Sequence, residues 1–221
     1  VVIVSSQLPV GSVADLEAFA TTHMPESRLL FAVSPENLRL GNAIEVFRSP
    51  DRVVVGVRDL RSRQRLEPLF ASLSPRIEWM SVESAEMTKH AINAFLAVSV
   101  TFANELATLC EAVGADAKEV ERGLKTEARI GPKAYLAPGA AFAGGTLARD
   151  VAFLSDIAAS NRIAALLLNA VRPSNERQKG WMERKTEETL PDLRHAAVAI
   201  WGLTYNAGTD PVGRASAGEV C

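Results

Sequence analysis

The strongest constraint on the fold of this chain is one uninterrupted helical pattern. Residues 85–113 carry apolar side chains at helical spacing, and neither proline nor glycine occurs before Gly114. Such a stretch predicts one long helix that ends at a glycine. Before it, up to about residue 82, short apolar runs alternate with amphipathic stretches, which is typical of an α/β unit with a mostly parallel sheet.

The same patterns predict the other elements. The predicted strands are residues 1–4, 29–33, 53–57, 77–80 and 196–201. The predicted helices besides the long one are residues 13–22, 60–73, 117–124, 147–159 and 162–189. Asp116 followed by Glu119 is typical of a capping box. We expect the first run to be a buried strand of a sheet begun elsewhere, and the chain to be cut at both ends.

Composition excludes several classes of function. The 221 residues carry a formal net charge of −2 without a basic stripe, so nucleic-acid binding is not expected. No uninterrupted apolar run approaches the roughly 20 residues that span a bilayer, and we expect no membrane segment. Cys110 and Cys221 are far apart and the three histidines are scattered, which predicts no disulfide, no metal site and a cytoplasmic location.

Lys89 and Asn93 are the first candidates for chemistry. Four residues apart on the long helix, they lie on one face and can reach one small ligand together. The lysine can supply a cation and the asparagine a donor to a developing oxyanion. A solvated helix face is the alternative interpretation, because both residue types are usually exposed.

Two loop segments are further candidates for the site. Pro35-Glu36 comes directly after a predicted strand, where open α/β sheets place ligand-binding groups. Glu36 could act as a general base, or it could cap a loop. Gly144-Gly145-Thr146 precedes a predicted helix that contains Asp150, and its backbone N–H groups could bind a substrate. A plain helix start explains that segment equally well.

The order of these segments resembles a known family, the UDP-glucose/GDP-mannose dehydrogenases. The resemblance covers essentially the whole chain in register, and the helix segment around Lys89 and Asn93 is its most specific part. The segments that carry it are Ser6-Gln7-Leu8-Pro9-Val10-Gly11, residues 34–43, 50–56, 86–97, 129–133, 142–150, 175–179 and 202–210.

The resemblance implies an NAD-dependent, dimeric enzyme in three parts. Residues 1–82 would be the C-terminal part of an NAD-binding Rossmann-like domain, whose glycine-rich fingerprint would lie upstream. Residues 83–192 would be the central helical dimerisation region, and residues 193–221 the first strand and loop of a nucleotide-sugar-binding Rossmann-like domain. Pro9, Glu36 and Arg149 would contact the cofactor, and no metal is implied.

Family enzymes oxidise the C6 alcohol of a nucleotide sugar to a carboxylate through a cysteine thiohemiacetal and a thioester. By position, Glu36 would be the base in hydrolysis, Lys89 and Asn93 would stabilise negative charge, and Asp150 would order water. The substrate-binding positions would be Arg129, which reaches the partner subunit's sugar site, and Lys133, Gly144 and Gly145.

The chain departs from the family pattern at four positions within the segments that resemble it. Thr146 stands where the family has its nucleophilic cysteine, and an alcohol is essentially un-ionised at neutral pH, whereas a thiol ionises near pH ~8.5. Gln7 replaces a threonine, Leu40 a glutamate and Asn206 a lysine. We expect oxidation of the C6 alcohol of a UDP- or GDP-linked sugar, with the second step in doubt; a catalytically impaired sugar-binding or dimerisation homologue is the alternative.

Overall fold

The computed structural model describes residues 1–38, 41–142, 145–190, 192–202 and 204, and it divides into two units, Val1–Ala91 and Ile92–Cys221. The strands are β1 (Val2–Val4), β2 (Phe31–Val33), β3 (Val53–Val57) and β4 (Ile77–Met80). The helices are α1 (Ser12–His23), α2 (Ala43–Arg48), α3 (Leu60–Ala71), α4 (Val82–Val113), α5 (Ala117–Thr126), α6 (Thr146–Ser160), α7 (Leu166–Lys179) and α8 (Trp181–Thr189). A short 3-10 helix covers Leu193–His195.

The first unit is a sheet of order β1-β2-β3-β4 with helices on both faces. Alternate residues of β2 point to opposite faces, as strand geometry requires. Phe31 and Val33 pack with residues of α1 and the start of α4, whereas Ala32 packs with α3. The unit is therefore a three-layer α/β arrangement, which confirms the predicted fold class.

The sheet is mostly parallel, as predicted, and contains one antiparallel pair. β1 pairs parallel with β2, and β3 pairs parallel with β4, but β2 and β3 are antiparallel, with Val33 opposite Gly56. Among the described residues between β2 and β3, α2 is the one helix; it is six residues long, and the sequence pattern had not predicted it. In this chain β1 is the edge strand of the described sheet, and Val1 and Val2 are exposed there.

Arg58, which follows β3, joins two helices of the first unit. Its guanidinium donates to Glu17 of α1 at 3.0 and 3.1 Å and to Glu83 of α4 at 2.5 Å. The hydrogen bonds that Arg58 donates to Glu17 and Glu83 raise the pKa of Arg58, and the bond from Arg58 holds the pKa of Glu83 below its ordinary value. These partly exposed ion pairs fix α1 against the start of α4.

The second unit is helical. Ala94 and Ala97 of α4 pack with Val151 of α6 and Val171 of α7. The predicted capping of α5 is confirmed at Asp116, whose carboxylate accepts the N–H groups of Lys118 and Glu119.

Two predictions for the last part of the chain are wrong. The single helix expected over residues 162–189 is two helices, which Gly180 separates. The first of them begins only at Leu166, and Arg162 before it has a left-handed backbone (φ 58°). Residues 196–202 form no strand; a strand needs a neighbour for its backbone hydrogen bonds, and no described strand lies in this unit. Most of residues 203–221, including Asn206, lie outside the described residues.

By length and composition alone, α4 could cross a membrane. The sequence prediction missed this because it considered only uninterrupted apolar runs. Core helices of soluble proteins have the same properties, and the polar side chains Glu86, Lys89 and Asn93 of α4 are hydrogen bonded to protein groups.

Gly56 of β3 has no room for a side chain. A Cβ atom there would lie 2.7 Å from the Ala85 Cβ, 2.7 Å from the Val33 Cγ1 and 2.9 Å from the Val82 Cα. We expect Gly56→Ala to lower the free energy of unfolding by about 1–3 kcal/mol through overpacking. Urea unfolding followed by circular dichroism measures it.

Gly123→Ala is the matched control. A Cβ on Gly123, inside α5, meets no atom within 4 Å. This change should leave stability unaltered or raise it by up to ~1 kcal/mol through helix propensity. Equal effects of the two substitutions would contradict the packing argument.

Candidate active site

The loop after β1 is held by a buried carboxylate of α4. Glu86 is 4 % exposed, and its two oxygens accept the N–H of Gly11 (2.7 Å) and the N–H of Val13 (3.0 Å). Gly11 is the N-cap of α1 and has φ 100°, a left-handed conformation that favours glycine. A carboxylate at a helix N-terminus is stabilised by the unpaired N–H groups and the helix dipole.

His90, one residue after Lys89, fixes the same loop. Its imidazole is completely buried, and Nε2 lies 2.9 Å from the carbonyl oxygen of Leu8. Pro9, the predicted cofactor contact, is exposed between these two anchor points. Sequence reasoning assigned no role to Glu86 or His90; the only signal was their place one turn before, and directly after, Lys89.

The loop after β2 contacts Lys89 through Asn37, the residue that follows Glu36. Glu36 is exposed; its carboxylate accepts the N–H of Leu38 at 2.5 Å, and its own N–H donates to the carbonyl of Ser5. Lys89 Nζ donates to Asn37 Oδ1 at 3.2 Å. Glu36 thus makes the local capping contact, and its exposed position also leaves it able to act as a base.

Lys89 and Asn93 are not on a solvated face. They are 8 % and 6 % exposed, so that alternative interpretation is wrong. In the second unit, Asn93 Nδ2 donates to a carboxylate oxygen of Asp150, which is completely buried in α6. Because a buried carboxylate is costly without donors, this contact fixes both side chains.

Thr146 is the first residue of α6, one turn before Asp150, and it is exposed. The segment before it is positioned by side-chain amides. Asn175 of α7 binds both backbone groups of Phe142, accepting its N–H at 2.9 Å and donating to its carbonyl at 3.0 Å. Asn104 of α4 and Gln178 of α7 bind the same loop at residue 139. Sequence reasoning assigned no role to these amides.

The remaining predicted residues lie around these groups or outside them. Gly145 is the N-cap of α6, and Arg149 is exposed on the same helix. Arg129 and Lys133 are exposed after α5, and Arg129 donates to Glu127 at 2.9 Å, which lowers the pKa of Glu127. Gly144, together with Leu40 of the β2 loop, lies outside the described residues.

The first unit offers the edge at which dinucleotides bind in α/β sheets. β1 and β2 are adjacent and parallel, so the loops that carry Pro9 and Glu36 leave the sheet at the same end. Both residues are exposed there. Among the described residues, no group of three or more histidine, cysteine, aspartate or glutamate side chains could hold a metal ion.

Comparison with known proteins agrees with this arrangement. Residues 1–74 match the NAD binding domain of the UDP-glucose/GDP-mannose dehydrogenase family, and residues 83–177 match the central domain of the same family. The chain belongs to the UDP-glucose/GDP-mannose dehydrogenase family. This confirms the resemblance drawn from the sequence and the prediction of NAD as the cofactor of the family domain.

Individual relatives support the assignment. UDP-glucose 6-dehydrogenase of Rickettsia bellii is 38% identical over 193 residues, which cover 86% of this chain and 44% of the relative. The Pseudomonas aeruginosa UDP-glucose 6-dehydrogenase is 33% identical over 95% of this chain and 48% of its own length. The chain therefore spans about half the length of the curated relatives it matches.

Solved structures give the same fold. A UDP-glucose dehydrogenase from Pyrobaculum islandicum matches with a TM-score of 0.89 at 30% identity, covering 99% of this chain and 50% of that chain. A UDP-D-ManNAc dehydrogenase from Pyrococcus horikoshii matches with a TM-score of 0.83 at 24% identity, covering 99% and 53%. At that identity, the second match shows the fold alone.

The Asn175 contact predicts protection of one backbone amide. Asn175→Ala removes the oxygen that accepts the Phe142 N–H, so we expect hydrogen exchange at that amide to accelerate about fivefold, the equivalent of a hydrogen bond of ~1 kcal/mol. Asn169→Ala, an exposed position of α7, is the control and should leave this amide unaffected. Unchanged exchange in the Asn175 variant would contradict the anchoring role.

Proposed function

We propose that the full protein oxidises the C6 primary alcohol of a nucleotide sugar toward the uronate, with NAD as the hydride acceptor. The observation that carries this proposal is the buried polar face of α4. Lys89 and Asn93 are one helical turn apart, and each is hydrogen bonded to a group of a predicted catalytic segment, Asn37 beside Glu36 and Asp150 of α6. Membership of the family supports the reaction class.

In the first step, the C6–H hydride leaves, and the hydroxyl proton passes to a water molecule ordered by Asp150. The ammonium of Lys89 and the amide N–H of Asn93 stabilise the negative charge that develops on the C6 oxygen. A fixed cation and a fixed dipole need little reorganisation at that moment, which is why their burial and hydrogen bonding favour this role.

The second step has to proceed without the thiol if Thr146 occupies the nucleophile position. Water adds to the aldehyde while the Glu36 carboxylate accepts one proton, and the resulting hydrate loses the second hydride from C6. The sum is one alcohol and one water converted to a carboxylate, with two hydrides transferred and three protons released. Thr146 then shapes the pocket and forms no covalent bond.

A second candidate follows from the same residue. With an alcohol in place of the thiol, the protein could be a nucleotide-sugar-binding or dimerisation homologue of impaired activity. The hydrogen bonds of Lys89, Asn93 and Asp150 favour the enzyme. A protein that no longer catalyses the oxidation would not need these three buried polar side chains in this arrangement.

The number of NADH molecules formed per sugar tests these alternatives in the full-length protein. We expect NADH with at least one of UDP-glucose, GDP-mannose and UDP-N-acetyl sugars. Two per sugar would indicate oxidation through the hydrate, and one an aldehyde product. No NADH with any sugar, although the folded protein binds one by calorimetry, would leave the binding role.

Thr146→Cys separates a specialised site from a degraded one. If the other groups are intact, a thiol at the start of α6 should raise uronate formation by at least about tenfold, since a thiolate is a far better nucleophile than an alcohol. Thr126→Cys, which places a thiol at the exposed end of α5, is the control. Equal rates for the three proteins would show that more than the nucleophile has changed.

The proposal includes a homodimer through the central helices and a cytoplasmic location. Phe95, Phe102 and Leu109 are 69 %, 50 % and 63 % exposed on α4, at a spacing of seven residues that places them on one face. An exposed apolar stripe of this kind is typical of a protein interface. Arg129 would then reach the sugar site of the partner subunit.

Phe102→Glu should convert the dimer to a monomer, because a buried, unpaired carboxylate is costly in an apolar interface. Size-exclusion chromatography with light scattering on the full-length protein measures it. Ile44→Glu, at an equally exposed apolar position of α2, is the control and should stay dimeric. A dimer in both variants would place the interface elsewhere.

A further inference from the structure

Asn37 holds the ammonium of Lys89 from the loop after β2. The distance from Lys89 Nζ to Asn37 Oδ1 is 3.2 Å, and the two residues are 52 positions apart in the sequence. Lys89 is buried at the level of the whole residue, whereas Asn37 is exposed. The contact therefore links a buried cation of α4 to the exposed segment that carries Glu36.

That segment is ordered by three contacts in a row. The Glu36 N–H donates to the Ser5 carbonyl at 3.2 Å, the Glu36 carboxylate accepts the Leu38 N–H, and Asn37 accepts the Lys89 ammonium. Movement of Asn37 would therefore shift Glu36 and Lys89 together. A lysine side chain has four rotatable bonds, and it supplies a fixed charge only when its end is held.

The chemical nature of the partner matters as well. An amide oxygen accepts a hydrogen bond from an ammonium group without adding a negative charge. A carboxylate at the same distance would attract the ammonium more strongly and would compete with a negatively charged reaction centre. The nearest acid earlier on α4 is Glu86, which lines the same small cavity as Lys89, and both of its oxygens are bonded to N–H groups at the start of α1.

We propose that Asn37 is the positioning residue of Lys89: its amide oxygen orients the ammonium and ties the Glu36 segment to α4. The role rests on the proposed function, in which Lys89 stabilises the C6 oxyanion. Asn37 acts through Lys89 and need not touch the substrate.

Two substitutions of opposite effect test the contact in the full-length protein. Asn37→Leu removes this amide acceptor and should lower the pKa of Lys89, whereas Asn37→Asp adds a carboxylate and should raise it, by about one unit. NMR titration of 13Cε-labelled lysine measures both values, with the Lys89 signal assigned by its loss in Lys89→Arg. Asn42→Asp, a charge change at an exposed position of the same loop region, is the control and should not move the signal.

Kinetics then test the role. Both Asn37 variants should lose about tenfold or more in kcat with a KM for the sugar changed less than about threefold, because the lost interaction is made mainly in the transition state. The basic limb of the pH profile of kcat should move in opposite directions in the two variants. General damage to the fold would not produce opposite shifts.

The outcomes are distinguishable. An unmoved Lys89 pKa in both variants, or moved pKa values with an unchanged kcat, would overturn the positioning role while leaving the dehydrogenase proposal intact. A wild-type protein that oxidises no nucleotide sugar would overturn the proposed function, and the role of Asn37 with it, whatever the titration gives.

Discussion

Within the first unit, the buried carboxylate of Glu86 fixes the start of α1 to α4. It lies on α4, the helix that continues from the α/β unit into the helical unit, and it accepts two N–H groups at the start of α1. Burying a carboxylate is costly, and the helix N-terminus provides the compensating donors. Lys89 lies one turn further along α4. The contact that fixes α1 therefore also fixes the position of the candidate catalytic lysine relative to the β1 loop.

Much of the fold could be predicted because periodicity reports which faces are buried. The Val-rich β3 and the long α4 were predicted at or near their observed bounds. The antiparallel pairing of β2 and β3 could not be predicted, since the alternation of apolar and polar residues along a strand is the same in parallel and antiparallel pairs. The strand expected at residues 196–201 fails for a related reason: an apolar run shows what a segment could bury and does not supply the neighbour that pairs with it.

The candidate site was predictable only in part. Lys89, Asn93 and Asp150 were named from their order along the chain, but their burial came from the structure. Glu86, His90 and Asn175 lie in segments that resemble the family, but the sequence did not indicate their roles, because each binds backbone groups far away in the chain. Residues that hold a loop by its backbone leave no mark on the sequence of that loop.

The supporting contacts also bear on what the change at Thr146 means. A covalent mechanism needs a nucleophile, whereas oxidation of a hydrate needs an ordered water, a base and a stabilised oxyanion. The chain keeps candidates for all three in Asp150, Glu36 and the pair of Lys89 and Asn93, and it keeps Asn175 to anchor the segment that leads to Thr146. Lys89, Asn93, Asp150 and Asn175 are buried and would cost stability if they were left unpaired, so their hydrogen bonds favour a site that still orders water over one that only binds a sugar.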